Sequence, residues 1–253
     1  LQSLNHKVFG IVNNKSNEKI AKERKLANYV STDLNILKDC SLIFLALPIK
    51  DLIKPRKELI DAIPLSSVLT DVASIKVPVI NTWENLHPLF IGSHPMAGTE
   101  NKGVNAGNGQ ILEHAKWIIT PTSRTNQNSL EILSELINSM QCKIIKTSPK
   151  SHDKAASLIS HLPIFLASSL IHTTNNQEDE LLKSLSQEIA SSGFADTSRV
   201  GGGNSDLGLD LAMHNKENIL NAINIFKANL DDIEKIINDQ EWQLLLDKLE
   251  KAK

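Results

Sequence analysis

Residues 41–93 read SLIFLALPIKDLIKPRKELIDAIPLSSVLTDVASIKVPVINTWENLHPLFIGS. Three short apolar runs stand out in this stretch, at residues 41–46, 67–72 and 89–93. Consecutive apolar residues in a short run are typical of a strand that is buried on both faces. Between the first two runs, Lys50–Ile63 has the apolar spacing of a helix. The stretch therefore predicts alternating strands and helices of a parallel sheet.

The same alternation continues on both sides of this stretch. It predicts three more strands and two more helices: strands Lys7–Val12, Lys116–Thr120 and Lys143–Thr147, and helices Asn17–Asn28 and Ser129–Met140. We therefore expect residues 1–149 to form a doubly wound, Rossmann-like α/β domain with a parallel sheet. Ligands of such sheets bind at the carboxyl ends of the strands, so the residues just after each strand are the candidates for chemistry.

Residues 150–253 have a different pattern. Strand-like runs disappear, and apolar residues recur at spacings of three and four over residues 219–237, which predicts a long helix with Asn215 as its cap. We expect an all-helical domain here. Its apolar surface is more than about 100 residues can bury alone, so we predict a homodimer through these helices.

Composition narrows the class of protein. With 27 basic and 29 acidic residues the net charge is −2, which gives no reason to expect a nucleic-acid partner. No uninterrupted apolar run reaches about 18 residues, so we predict no membrane span. Cys40 and Cys142 are isolated thiols outside any metal-binding spacing. This favours a cytoplasmic protein without a metal site.

One candidate for chemistry follows the run at 89–93. In SHPMAGTENKG (Ser93–Gly103), His94 stands at a strand end and is followed by Pro95, which restricts the backbone on both sides. Imidazole titrates near neutral pH, so a histidine held there suits a general base. A loop histidine that bonds only to backbone is the alternative.

Two further segments carry polar side chains. TDVASIK (Thr70–Lys76) places Ser74 and Lys76 after another strand, although serine is also common at helix starts. SHDKAASLISHLP (Ser151–Pro163) is a predicted helix with two histidines and an aspartate. Pro163 predicts a distortion near His161, which is either part of a site or a core histidine.

A fourth segment, DTSRVGGGNSD (Asp196–Asp206), contains Arg199 before three glycines. Arginine suits carboxylate recognition, and glycines allow close approach of a ligand or another chain. A surface loop with a solvated arginine is the alternative.

Together, HPMAGTE, DVASIK, SHDKAASLISHLP and FADTSRVGGG resemble the prephenate/arogenate dehydrogenase family, from about Val8 onward and most closely its cyanobacterial arogenate-preferring branch. The resemblance implies a dinucleotide-binding domain and a helical dimerisation domain. It also implies that hydride leaves the hydroxyl-bearing ring carbon while the ring carboxylate departs as CO2.

The resemblance implies roles for single residues. His94 would accept the hydroxyl proton, so activity should fall at low pH, and Ser74 would hydrogen-bond the substrate hydroxyl beside the nicotinamide. Arg199 would pair with the ring carboxylate. Glu100 would shape the entrance of the substrate pocket, and His161 would support the residues that bind the substrate.

The chain departs from the family pattern in its substrate motif. Prephenate-preferring members have a second histidine after SHLP, where this chain has Ile164. The loss favours L-arogenate, which would be oxidised to L-tyrosine. A prephenate dehydrogenase remains the alternative, and another hydride-transfer enzyme such as a β-hydroxyacid dehydrogenase is a weaker one.

The chain also departs from the pattern in its cofactor motif. It contains no GxGxxG loop, so we expect about 20–30 residues of a first βα unit to be missing; a non-catalytic dimeric remnant is the alternative. The cofactor residues expected in this chain are Asn13, Asn14, Lys15, Leu47, Pro48 and Ser74. Since no carboxylate follows Lys7–Val12 to bind a ribose hydroxyl, we predict NADP, with NAD possible.

Overall fold

The computed structural model describes residues 1–98 and 103–252. Its strands in these residues are β1 (Phe9–Ile11), β2 (Tyr29–Ser31), β3 (Leu42–Leu45), β4 (Val68–Asp71), β5 (Phe90–Pro95), β6 (Lys116–Thr120) and β7 (Lys143–Lys146). The helices of the first part are α1 (Lys15–Glu23), α2 (Ile49–Ile53), α3 (Lys57–Ala62), α4 (Val77–Leu86) and α5 (Gln127–Ser139).

The strands form two separate sheets. Strands β3 to β7 lie in sequence order and are parallel, except that β5 and β6 are antiparallel; β1 and β2 form a parallel pair of their own. An unbroken doubly wound sheet has its first strand between the positions that β1 and β3 occupy here. The discontinuity expected from the absent GxGxxG unit is therefore observed.

A large cleft separates the two sheets. Its volume is about 1800 Å³, and it is lined by both sheets and by residues 108–113 and 132–141. The carboxyl ends of three strands reach it, through Asn13 after β1, Leu47 after β3 and Val72 after β4. The cleft thus occupies the gap between β1 and β3, and the carboxyl ends of strands, where α/β sheets bind their ligands, lie along one part of it.

Apolar residues of the sheet are buried on both faces, as the continuous runs predict. On one face, Trp83 of α4 is buried beside Phe90 and Leu69. On the other face, Leu133 and Ile137 of α5 pack in a cluster with strand residues Ile91 and Ile119. These two cores fix the strand ends that carry the candidate site.

The second part of the chain is helical throughout the described residues. Its α-helices are α6 (Pro149–Ala156), α7 (Leu162–Asn175), α8 (Glu180–Glu188), α9 (Ser192–Ser198), α10 (Ser205–His214), α11 (Lys216–Asn238) and α12 (Trp242–Glu250). A π-helical turn at Ser157–His161 joins α6 to α7. Because Pro163 cannot donate to the carbonyl of Ile159, the distortion predicted near His161 is confirmed.

The continuous helical stretch Pro149–Asn175 is long and apolar enough to cross a membrane by length and composition alone, with a mean hydropathy of 1.4. Its first half carries the buried polar side chains His152, Asp153 and His161. Such groups in a packed polar network favour a core helix of a globular domain over a lipid-facing span.

Three elements differ from the sequence-based predictions. Strand β2 and helix α4 were not predicted, and the single helix expected over Lys50–Ile63 is split into α2 and α3 at Pro55. Proline removes a backbone donor and disfavours helical backbone in the preceding residue, which explains the split. Only three residues long, β2 is too short to show a clear periodicity.

Candidate active site

Two histidines from different parts of the chain meet at the carboxyl end of β5. His94 Nδ1 lies 2.9 Å from His152 Nε2 of α6, and the two rings meet edge to face. Both side chains are buried, with 8% of His94 and 3% of His152 exposed. In the described residues, Nε2 of His94 makes no hydrogen bond, so this nitrogen is available to a ligand.

Asp153 anchors the second histidine. Its Oδ1 lies 2.8 Å from His152 Nδ1. The same carboxylate accepts the backbone N–H of Lys76 at 2.6 Å and of Val77 at 2.8 Å, which are the first N–H groups of α4. A carboxylate at a helix N-terminus is stabilised by the helix dipole as well as by these bonds. Asp153 therefore ties the helical part of the chain to the sheet.

Burial and nearby charge keep His94 neutral. Desolvation, followed by the positive charge of Lys76 and by His152 and His161, lowers the pKa of His94 to about 2. The imidazole thus holds no extra proton at neutral or mildly acidic pH. The fall in activity predicted at low pH is therefore not expected from His94 within the physiological range.

Lys76 has a different role from the one its position suggested. It is fully buried, and its ammonium donates to the Asp71 carboxylate and to the carbonyl of Ser93 at 2.6 Å. Asp71 also accepts the backbone N–H of Ser93 at 3.1 Å and of Ala73 at 3.0 Å. The sequence placed Lys76 after a strand, among the candidates for chemistry. In the structure its ammonium links the ends of β4 and β5 and positions Ser93, the residue before His94.

His161 is completely buried at the π-helical turn. Its Nδ1 lies 3.1 Å from the side-chain amide of Asn215, which also donates to the carbonyl of Asp153 at 2.9 Å. Burial lowers the pKa of His161 to about 4, against an opposing contribution from the Ser74 backbone. In the part of the chain described, Nε2 of His161 has no hydrogen-bond partner. Asn215 is the N-cap residue of α11, as predicted, but its side chain makes no capping hydrogen bond, since its Oδ1 accepts from the side-chain amide of Asn218 at 2.8 Å.

Ser74 lies between β4 and α4, half-buried, with its backbone next to His161. No hydrogen bond of its hydroxyl is found within residues 1–98 and 103–252, so the hydroxyl can turn towards a ligand. The loop after β4 thus brings the backbone of Ser74 next to His161.

Arg199 stands at the end of α9 and is exposed. The turn that follows it packs on α7, and a Cβ on Gly201 would lie 2.5 Å from the backbone of Ala167 and Ser168. The close approach that these glycines permit is therefore to a helix of the same chain. Glu100, the remaining substrate-binding prediction, lies outside the described residues.

The predicted cofactor residues after β1 form the start of α1. Asn14 caps this helix by accepting the N–H of Asn17 at 2.8 Å, and its amide donates to Asn13 at 3.0 Å. Lys15 is exposed and pairs with Glu18 at 2.7 Å. That carboxylate also pairs with Lys22 at 2.5 Å, so the cluster has one positive charge in excess.

The residues that line the cleft can be compared with those expected to hold a nicotinamide cofactor. Asn13 and Leu47 line the cleft, whereas Asn14, Lys15 and Pro48 do not. Val72 and Pro95 also line the cleft and are close in sequence to Ser74 and His94. Asn13 and Leu47 are thus the predicted cofactor residues that line the cleft, and both follow strand ends, where a dinucleotide binds in such sheets. The chain has no glycine-rich loop for the pyrophosphate.

Sequence reasoning did not assign the residues that surround the histidine pair. His152, Asp153 and Asp71 were visible as polar positions, but no local pattern predicts that they bond to His94, Lys76 and one another. The signal that could have revealed this network is the motif SHD (Ser151–Asp153). It lies in the first turns of a helix that begins at Pro149 and is capped by Ser148. Polar groups buried on the first turns of a helix need partners, which points to a network.

Comparison with known proteins gives similarity along the whole chain. Residues 2–146 match the family described as prephenate dehydrogenase, nucleotide-binding domain, and residues 148–251 match prephenate dehydrogenase, dimerization domain. A prephenate dehydrogenase of Bacillus subtilis is 29% identical over 221 residues, which cover 86% of this chain and 59% of that protein. The chain thus spans less than two thirds of the length of that relative.

Two solved structures are similar in fold. Synechocystis arogenate dehydrogenase is 33% identical, with a TM-score of 0.83, over 99% of this chain and 90% of that one. Prephenate dehydrogenase from A. aeolicus, in complex with hydroxyphenyl propionate and NAD+, is 24% identical with a TM-score of 0.89, over 97% of this chain and 86% of that one. The second likeness concerns the fold alone.

Proposed function

The chain belongs to the prephenate dehydrogenase family, and on that premise we propose that it oxidises and decarboxylates L-arogenate to L-tyrosine with NADP. The observation that carries the proposal is the His94–His152 pair. In the described residues it leaves one nitrogen of a neutral, buried imidazole without a partner, at the carboxyl end of a sheet strand.

The chemistry requires a base at the substrate hydroxyl. Nε2 of His94 would accept that proton, and Ser74 would donate a hydrogen bond to the same oxygen. Lys76 opposes a proton on His94, but arogenate carries one net negative charge, which offsets this repulsion when the substrate is bound. Departure of hydride from the hydroxyl-bearing carbon and loss of the ring carboxylate as CO2 would leave an aromatic phenolate, and His94 would return the proton to its oxygen to give the phenol of L-tyrosine.

A nicotinamide cofactor would supply the hydride acceptor. The residues of this chain that would hold it are Asn13 at the ribose and Leu47 towards the nicotinamide, which both line the cleft; Pro48 directly follows Leu47, and Ser74 lies two residues after the lining residue Val72. NADP is supported by the excess positive charge at Lys15, Glu18 and Lys22 and by the absence of a carboxylate directly after β1. The A. aeolicus protein was crystallised with NAD+, so both cofactors belong in the test.

Ile164, which replaces the second histidine of the family motif, supports arogenate as the substrate. Ile164 directly follows Pro163 in the first turn of α7, and it packs against the core cluster that includes Leu211. It offers no hydrogen bond to a keto acid. Arg199 would pair with the ring carboxylate through its planar guanidinium.

The test of the proposed function is a comparison of kcat/KM for arogenate and prephenate, each with NADP and NAD. We expect arogenate with NADP to exceed each other combination by at least about tenfold, since one well-placed polar contact is worth that much. In Ile164→His, prephenate should gain relative to arogenate. A higher kcat/KM for prephenate in the unaltered protein would support the alternative substrate. Absence of turnover and of NADP binding by the full-length protein would support a non-catalytic remnant.

We also propose that the protein is a cytoplasmic homodimer through its helical part. Leu181 is 83% exposed and Ile189 is 68% exposed, and further exposed apolar residues continue along α10 to α12: Leu209, Met213, Leu220, Leu230, Trp242 and Leu249. Exposed apolar surface of this extent is typical of an interface. Light scattering should give twice the 27.9 kDa of one chain, and a stable monomer at micromolar concentration would contradict the proposal.

A further inference from the structure

We infer that His152, backed by Asp153, is a positioning residue that fixes the tautomer of His94, with the proton on Nδ1 and the lone pair on Nε2. The inference rests on the proposed function for its kinetic consequence. It goes beyond that function because it assigns a role to a residue of the helical part that would touch neither substrate nor cofactor.

With a neutral His152 ring, the hydrogen-bond chain permits one direction of donation. The Asp153 carboxylate accepts two backbone N–H groups at 2.6 and 2.8 Å, and a carboxylate can only accept. His152 must then donate to it from Nδ1. In a neutral ring the other nitrogen has no proton, so His152 Nε2 accepts from His94 Nδ1. Nε2 of His94 is left as the basic nitrogen.

The geometry holds this arrangement firmly. His152 and Asp153 are adjacent on α6, both are almost fully buried, and Asp153 is fixed by the start of α4. The side-chain amide of Asn215, which lies between α10 and α11, donates to the Asp153 carbonyl and holds the backbone of α6 at the same point. The Nδ1 proton of His94 therefore has one acceptor in a fixed direction, and rotation of the ring by half a turn would break the bond.

The hydrogen bonds from His94 through His152 to Asp153 would also stabilise the His94 imidazole once it has accepted a proton. The positive charge that forms on His94 would be stabilised through His152 by the Asp153 carboxylate, while Lys76 opposes it from the other side. A second partner of this kind fixes the orientation and tautomer of a ring. A residue with only a packing role would not.

Three variants test the inference by kinetics. His152→Leu removes the acceptor and should lower kcat about 10- to 100-fold, with KM changed less than about threefold, because the tautomer and not substrate contact is lost. In His152→Gln the side-chain carbonyl can accept from His94 Nδ1, so kcat should stay within about fivefold of the unaltered protein. His87→Leu is the matched control, since His87 is also buried and hydrogen-bonded but lies against Pro64. Equal loss of kcat in the Gln and Leu variants would overturn the inference.

A spectroscopic measurement is independent of the reaction. In protein with 15N-labelled histidine, the His94 ring, assigned by its absence in His94→Asn, should show a protonated Nδ1 and an unprotonated Nε2. His152→Gln should retain this pattern, and His152→Leu should lose it. A protonated Nε2 in the unaltered protein would refute the inference, whatever the substrate proves to be. If the tautomer is as expected but arogenate and prephenate are not turned over, the proposed function fails and the positioning of His94 stands.

Discussion

Replacing His94 with asparagine should lower kcat for arogenate by about 100-fold or more. Asparagine keeps a side-chain amide of similar size and can still hydrogen-bond, but it cannot accept the hydroxyl proton at neutral pH. General base catalysis contributes about 10²–10⁴-fold in typical enzymes, which sets the expected loss. The measurement is steady-state turnover at saturating arogenate and NADP.

The control for this variant is His87→Asn. His87 is buried, and its Nε2 lies 3.0 Å from the carbonyl of Pro64, at the end of the sheet opposite His94. It should reduce stability without a comparable loss of kcat. If His94→Asn is folded and turns over arogenate within a few-fold of the unaltered rate, His94 is not the base and the proposed mechanism is wrong.

Replacing Lys76 with methionine should lower the free energy of unfolding by about 3–5 kcal/mol. Both Lys76 and Asp71 are fully inaccessible, so the variant leaves a carboxylate buried without its cation. Removing one partner of a buried ion pair lowers stability for this reason, even where the intact pair contributes little net stability. Urea unfolding at pH 7 is the measurement.

An exposed ion pair gives the matched control. Lys19 lies 3.9 Å from Glu23 on the surface of α1, with both side chains more than half exposed. Lys19→Met should change the free energy of unfolding by less than about 1 kcal/mol. The double variant Asp71→Asn/Lys76→Met should be more stable than Lys76→Met, because it removes the uncompensated charge. A loss below about 1 kcal/mol in Lys76→Met would show that the buried pair is not essential to the fold.

The buried pair also affects the site. Lys76 and Asp71 both bond to the backbone of Ser93, the residue before His94, and the backbone of Lys76 bonds to Asp153. One lysine thus links β4, β5, α4 and α6 at the point where the two histidines meet. Loss of this residue should therefore weaken the placement of His94 as well as the fold.

The sequence by itself determined the elements and the candidate residues. Continuous apolar runs predicted the buried strands at 41–46, 67–72 and 89–93 because burial on both faces leaves a direct record in the chain. The motifs around His94, Ser74, His161 and Arg199 predicted the family, which the comparisons confirm. Pro163 predicted the distortion at His161, since the missing backbone donor acts on its own helix.

Only the tertiary structure decided how these elements meet. The bond between His94 and His152 joins residues 58 positions apart, and that between Lys76 and Asp153 joins residues 77 apart. The antiparallel pairing of β5 and β6, the burial of Lys76 and the contacts of the Asn215 amide with Asp153 and His161 were likewise decided by tertiary packing. Helical and strand periodicities arise from contacts within a few residues, so they record which face of an element is buried. They do not record which distant polar group satisfies a buried one, because that depends on the packing of whole elements.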